Sequence, residues 1–169
     1  MNKQAVLGQR GYFALVHDVT LRLARCFRDE DLDWRPKPGM RSVKELFQHM
    51  YGAAAIMANG VKAGKISQEE ENYALPETAE AKSVAAGIRT VADLVAFCQA
   101  KYEESEQALQ QITEAQLQAP VEAPYGTFPG WQFFTFAYDE HWHHRGQLYT
   151  YARLLDRNPP MLYDYPNPQ

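Results

Sequence analysis

Apolar residues recur at three- and four-residue steps in four long stretches, the period of helices that each bury one face. In the first stretch, from about Ala5 to Arg28, Phe13, His17, Thr20, Ala24 and Phe27 share a stripe. The second opens at Ser42-Val43-Lys44-Glu45. This is a capping box, in which the serine hydroxyl and the glutamate carboxylate each satisfy a free backbone N–H. Leu46, His49, Ala53 and Ile56 follow on one face, and Gly60 and Gly64 offer a stop. The third begins near Thr90, where Thr90-Val91-Ala92-Asp93 is a weaker cap of the same kind. It continues through Leu94, Cys98, Lys101 or Tyr102, Ser105, Leu109 and Ile112, with an unusually polar centre. The fourth runs from about Trp131 to Asp156 and ends at Asn158, Pro159 and Pro160.

The intervening segments read as connections. Asp29 to Arg41 holds Pro36, Pro38 and Gly39, which stop helices. Lys65 to Lys82 reads as a polar linker, and its run Glu69-Glu70-Glu71 as solvated surface. Ala119 to Gly130, with three prolines and two glycines, reads as irregular, and the tail to Gln169 has no helical period. No period-two alternation is sustained, so strands are not expected. The pattern predicts an all-α fold, an antiparallel four-helix bundle with long connections, spanning residues 1–169 as a single domain. A three-helix core with one helix packed outside fits the same pattern.

Composition narrows the possible partners. The net charge is −4, from 17 basic against 21 acidic residues, and no basic run stands out. Nucleic-acid binding therefore lacks its usual electrostatic footprint. No apolar run reaches the roughly 20 residues that cross a bilayer, so no membrane role and a cytoplasmic location are expected. Cys26 and Cys98 have no CxxC spacing and are read as free thiols. Cys98 lies on a core stripe, where buried cysteine ordinarily acts as a small hydrophobe rather than a nucleophile.

The five histidines carry the candidate chemistry. Phe134, Ala137, His141, His144, Leu148, Tyr151 and Leu155 form the seam of the fourth helix. His141 and His144 are thus one turn apart on the core face. His143 falls about 100° from His144, off the centre. His49 takes a core position on the second helix. Three imidazoles in one small core need partners, because an unsatisfied buried polar group costs roughly 1–3 kcal/mol. A divalent metal would satisfy all three at once, leaving a position open to water or substrate; zinc, nickel or iron would accept such a set. His17 is open to three readings: fourth ligand, partner to a ligand, or hydrogen-bonded core group. Glu140, four residues before His144, could serve the metal, a ligand's second nitrogen, or a surface ion pair. Arg145 reads as a structural ion-pair donor.

Two stretches resemble the DinB/YfiT-like superfamily of metalloenzymes, which is unrelated to the DNA polymerase of the same label. One is Asp31-Leu32-Asp33-Trp34-Arg35-Pro36 followed by Met40 to His49. The other is His143-His144-Arg145-Gly146-Gln147-Leu148 followed by Tyr151 to Leu155 and Pro159-Pro160. The resemblance implies a four-helix bundle, often a homodimer, with three histidines around zinc or nickel. It carries the helix-two ligand onto His49 and the last ligand onto His144. The family places its remaining ligand four residues before the last, where this chain has Glu140; His141, one residue later, is taken here as the third ligand, with Glu140 as the alternative.

Some members are similar to transferases that use a low-molecular-weight thiol such as bacillithiol or mycothiol. A metal-dependent enzyme that activates a thiol or water, acting on a small-molecule substrate, is therefore the leading expectation. Tyr102 and Ser105 are candidates for the pocket lining, though core hydrogen bonding accounts for them equally well. The alternative function is a non-catalytic metal-binding protein of stress response or interaction.

Overall fold

The computed structural model describes residues 1–165. The last four residues of the predicted irregular tail lie outside them. Four long helices dominate: α1 (Lys3–Cys26), α2 (Val43–Ala63), α5 (Val91–Gln111) and α7 (Gly130–Leu154). Between them lie three short helices, α3 (Gln68–Asn72), α4 (Ala79–Ala86) and α6 (Glu114–Gln118), and the strands β1 (Pro120–Ala123) and β2 (Gly126–Pro129). The chain is an all-α four-helix bundle carrying one small hairpin.

Local chemistry sets the helix ends. Ser42 accepts the Glu45 N–H while the Glu45 carboxylate accepts the Ser42 N–H, closing the expected capping box of α2. Gly64 ends that helix in the left-handed conformation, at φ 81°. Thr90 and Asp93 cap α5 in the same reciprocal way.

The linker expected at residues 65–82 is more ordered than its polarity suggests. Ser67 and Glu70 form a further capping box that starts α3, and Thr78 caps α4. The segment expected to be irregular, 119–130, contains an antiparallel hairpin in which Val121 faces Phe128 and Ala123 faces Gly126. Its turn, Pro124–Tyr125, is two residues long, and Gly126 takes a positive φ of 139°. The Ile66 N–H donates to the Glu122 carbonyl at 2.7 Å, which ties the hairpin to the end of α2.

α1 and α2 each pack against both α5 and α7, so the order around the bundle is α1, α5, α2, α7. α2 is buried around most of its circumference, as a central helix must be. Its halves belong to two apolar clusters. One gathers Leu23, Phe47, Met50, Leu94 and Leu148; the other gathers Ala58, Val61, Leu109, Phe133 and Phe134. Between them lies the polar layer foreshadowed by the uneven stripe of α5. His17 accepts from the Tyr51 hydroxyl through Nδ1 (2.8 Å) and donates from Nε2 to the Gln99 side-chain oxygen (3.0 Å). Its ring lies parallel to Tyr102, centroids 3.9 Å apart. With both nitrogens engaged, His17 is a hydrogen-bonded core histidine. Burial holds its pKa down to about 4.

Tyr102 and Ser105 belong to this layer too. The Ser105 hydroxyl accepts from Arg10 at 2.7 Å. Cys26 and Cys98 are both free, and burial pushes the Cys98 thiol well above its ordinary range. Among the described residues no helix is long and apolar enough to cross a membrane.

Candidate metal centre

α2 and α7 lie side by side, and three side chains converge across their seam. His49 comes from α2; Glu140 and His144 come from α7, one turn apart. One carboxylate oxygen of Glu140 lies 3.1 Å from Nε2 of His49 and 3.1 Å from Nε2 of His144. One donor atom from each residue falls within 4.8 Å of the other two. The two imidazoles are buried and the Glu140 side chain is 40% exposed. Hydrogen bonding to His144, then to His49, holds the Glu140 carboxyl well below the usual carboxylate range.

The far nitrogens of both rings are engaged. Nδ1 of His49 meets the Ala74 carbonyl at 2.6 Å. A carbonyl only accepts, so this nitrogen carries the proton. Nδ1 of His144 meets the side-chain oxygen of Gln147 at 2.8 Å, while the Gln147 amide nitrogen turns to His143 at 3.3 Å. Each ring is therefore held through Nδ1 and turns Nε2, the nitrogen left to a further partner, toward the carboxylate. The hydrogen bond to Ala74 is possible because α3 folds the 66–78 segment back onto α2. Gln48, the neighbour of His49, also donates to that segment, at the Tyr73 carbonyl, 2.6 Å away.

The cluster opens on a cleft of about 520 Å³. Met57, Leu75 and Phe136 supply apolar wall, and Glu71, Asp139 and Tyr125 supply polar groups. Arg41 reaches its rim, where its guanidinium makes a two-point ion pair with Glu77, at 3.0 and 3.2 Å. Glu71 is half-buried. Burial raises its pKa, partly offset by His49, and the charge of Glu140 raises it further. Tyr125, at the tip of the hairpin, is pushed up to about 12 by burial.

Of the expected ligand set, the structure brings His49 and His144 together and places His141 elsewhere. The Thr20 hydroxyl donates to the Val16 carbonyl at 2.8 Å, so it can only accept from Nε2 of His141, 2.9 Å away. That nitrogen is thereby protonated and has no lone pair for a metal. The ring is wedged edge-on against Phe13 and Tyr51, and burial drives its pKa well down. The reason is the ring order of the bundle. α7 has α1 on one side and α2 on the other, so its core face divides: His141 turns to α1, while Glu140 and His144 turn to α2. Glu140 takes the position expected of His141.

The sequence places Glu71 in a run read as solvated surface, whereas it lines the cleft. The signal that marks it is the capping spacing Ser67 to Glu70, which starts a helix and turns the next residue toward α2. Asp139 and His143 line the same cleft, and Phe136, Asp139, Glu140, His143 and His144 mark a second stripe along α7.

Residues 12–148, well over half of the chain, match the DinB superfamily. Among solved structures, the chain is similar to a DinB-like protein of Bacillus subtilis, YjoA. That likeness has a TM-score of 0.70 and 23% identity and covers 90% of this chain and 95% of that one, which shows a shared fold. No curated protein matches. An all-α bundle in the same arrangement as a solved DinB-like protein, together with the match over residues 12–148, places this chain in the DinB superfamily.

Proposed function

We propose that the protein is a metal-dependent enzyme whose divalent ion is held by His49, Glu140 and His144 at the floor of the cleft. The observation that carries this reading is the convergence of three potential ligand atoms, Nε2 of His49, Nε2 of His144 and a carboxylate oxygen of Glu140, within 4.8 Å of one another. Nδ1 of each ring is held by a fixed acceptor, Ala74 or Gln147, which leaves Nε2 for a metal, and the Glu140 carboxyl is held well below the usual carboxylate range. A divalent cation among them would be coordinated by all three at once. Two imidazoles and a carboxylate suit zinc or nickel. The fixed Nδ1 positions are the usual outer support of histidine ligands.

Such an ion would supply a Lewis acid that lowers the pKa of a bound thiol or water. The protein's own groups do the rest. Met57, Leu75 and Phe136 exclude bulk water from one wall. Glu71 stands across the cleft as the acceptor for the proton that the nucleophile releases. Three ligands facing an open cleft favour catalysis over a purely structural ion, since structural zinc is ordinarily enclosed by four.

The test is metal analysis of the purified protein, followed by turnover assays with a panel of thiols and of hydrolysable esters and amides. One equivalent of zinc or nickel is expected, lost in His49→Ala and His144→Ala. A folded wild-type protein that binds neither ion under any loading condition overturns the reading.

A further inference from the structure

We infer that the protein has a second binding site, for an organic oxyanion, between α7 and the segment 159–162. A cleft of about 720 Å³ lies there, within the size range of small-molecule pockets, roughly 300–1,000 Å³. Trp142, Arg145, Tyr149 and Arg153 of α7 form one wall, and Met161 and Leu162 contribute to the other.

Arg145 is the anchor of the argument. The sequence suggested a structural ion pair, but among the described residues no carboxylate lies within salt-bridge distance of it. The side chain is only 4% exposed; it lies against the Tyr165 hydroxyl, but its Nη1 has no hydrogen-bond partner. Its charge rests on the face of Trp142, with the guanidinium carbon 4.5 Å from the ring centroid. A buried guanidinium with an unmet donor is costly unless something anionic completes it.

One further group shares that need, and a second cation stands beside it. The Tyr149 hydroxyl, one turn along α7, is buried without a partner. Arg153, a turn beyond, is exposed, with its guanidinium 5.6 Å from the Tyr149 ring and a long contact to the Tyr149 carbonyl. The nearby acidic groups, Asp18 and Asp164, are taken up by Arg22. The wall therefore offers two cations and a hydroxyl spaced along one face of a helix, beside an apolar surface. That combination fits a carboxylate or phosphate carried on an apolar body: the oxyanion takes the guanidinium fork and the hydroxyl, and the body packs on Trp142, Met161 and Leu162. His144 and Arg145 are consecutive, so this site and the metal centre open on different sides of the same helix.

The experiment is calorimetric titration of the full chain with phenyl phosphate and with benzoate, with benzylamine as the cationic comparison. It is run on metal-stripped protein and on His49→Ala, so that neither probe can report on the metal centre. Saturable binding of at least one anionic probe at one site is expected, with none for benzylamine. Arg145→Met should weaken it at least about tenfold, and Arg153→Ala and Tyr149→Phe by smaller factors, with helicity unchanged by circular dichroism. Arg153 is exposed and Tyr149→Phe keeps the ring, so these two variants decide the question if Arg145→Met fails to fold. The inference is overturned if neither anion binds saturably at millimolar concentration, or if the folded variants bind as tightly as wild type. Either result leaves the metal reading where it stands.

Discussion

The imidazole of His49 stands edge-on to that of His144, ring centroids 4.8 Å apart and planes at 80°, although the two residues come from the second and the last of the four long helices. Glu140 closes the gap between them. In the expected metal set, replacing either histidine with alanine abolishes stoichiometric binding, and Glu140→Gln weakens it strongly. His141→Gln keeps the metal and lowers thermal stability instead, because it disturbs Thr20 and the core. Elemental analysis beside calorimetry separates the two outcomes. Loss of metal in His141→Gln with Glu140→Gln unaffected would reverse the assignment.

Gln147 holds the far side of His144 and touches neither the cleft floor nor the proposed ion. Gln147→Ala frees the ring to turn, and metal affinity should fall about 10–100-fold, the usual cost of losing such support. A competition titration against a chromogenic chelator measures it. An unchanged affinity would mean that the ring is held by packing alone.

If Glu71 takes the proton from the nucleophile, Glu71→Gln should lower kcat by roughly 10²–10⁴ while leaving metal content at wild-type level. The alkaline limb of the pH–rate profile, set by other groups, should survive. Equal loss of metal and activity would make Glu71 a structural contributor to the centre.

The fold was largely legible in the sequence, and the connections were not. The four long helices declared themselves because each has a wide apolar stripe and, at Ser42 and Thr90, a capping pair. The short helices α3 and α6 have the same signature, Ser67 with Glu70 and Thr113 with Gln116. Five residues are too few for a periodic stripe, so the caps stood without support. The hairpin was hidden for a related reason: each strand is four residues long and only Val121 is fully buried, so alternation has no length in which to show. At the site, seam logic found His49 and His144, since both are buried on their helices. It favoured His141 over Glu140 because a seam treats the core as one direction, whereas α7 faces two neighbouring helices. The half-exposed carboxylate lies at the edge of that seam.

Stability should fall with acid through His17. A free imidazole titrates near 6.5 and the buried one near 4. Between these values the unfolded chain binds a proton that the folded chain refuses, so acid favours unfolding. The contribution is complete above pH 6.5 and is lost as the pH falls toward 4; at about 1.4 kcal/mol per unit, it reaches roughly 3 kcal/mol. His141 acts in the same direction. Urea denaturation at pH 7, 5.5 and 4 measures the slope, which should be shallower in His17→Gln. An equal slope in that variant would assign the effect to other groups.

Gly130 begins α7 against the backbone of α6. A β-carbon there would lie 2.5 Å from the Gln116 carbonyl oxygen and 2.9 Å from a Val61 methyl group. The first is backbone and has no room to yield. Gly130→Ala should therefore cost about 1–3 kcal/mol, read as a lower thermal midpoint, while Gly146→Ala, with open space around it, should be neutral or slightly stabilising.

The span of chain between His49 and Glu140 gives the proposed centre a mechanical meaning. The protein has no disulfide to restrict its unfolded ensemble, since Cys26 and Cys98 stand alone. An ion gripped from both helices would act as a detachable clasp over that long loop, and closing long loops removes more freedom from the disordered chain than closing short ones. Ion supply in the cell would then set the protein's lifetime as well as its chemistry, because every unclasped copy unfolds more readily and meets proteases sooner.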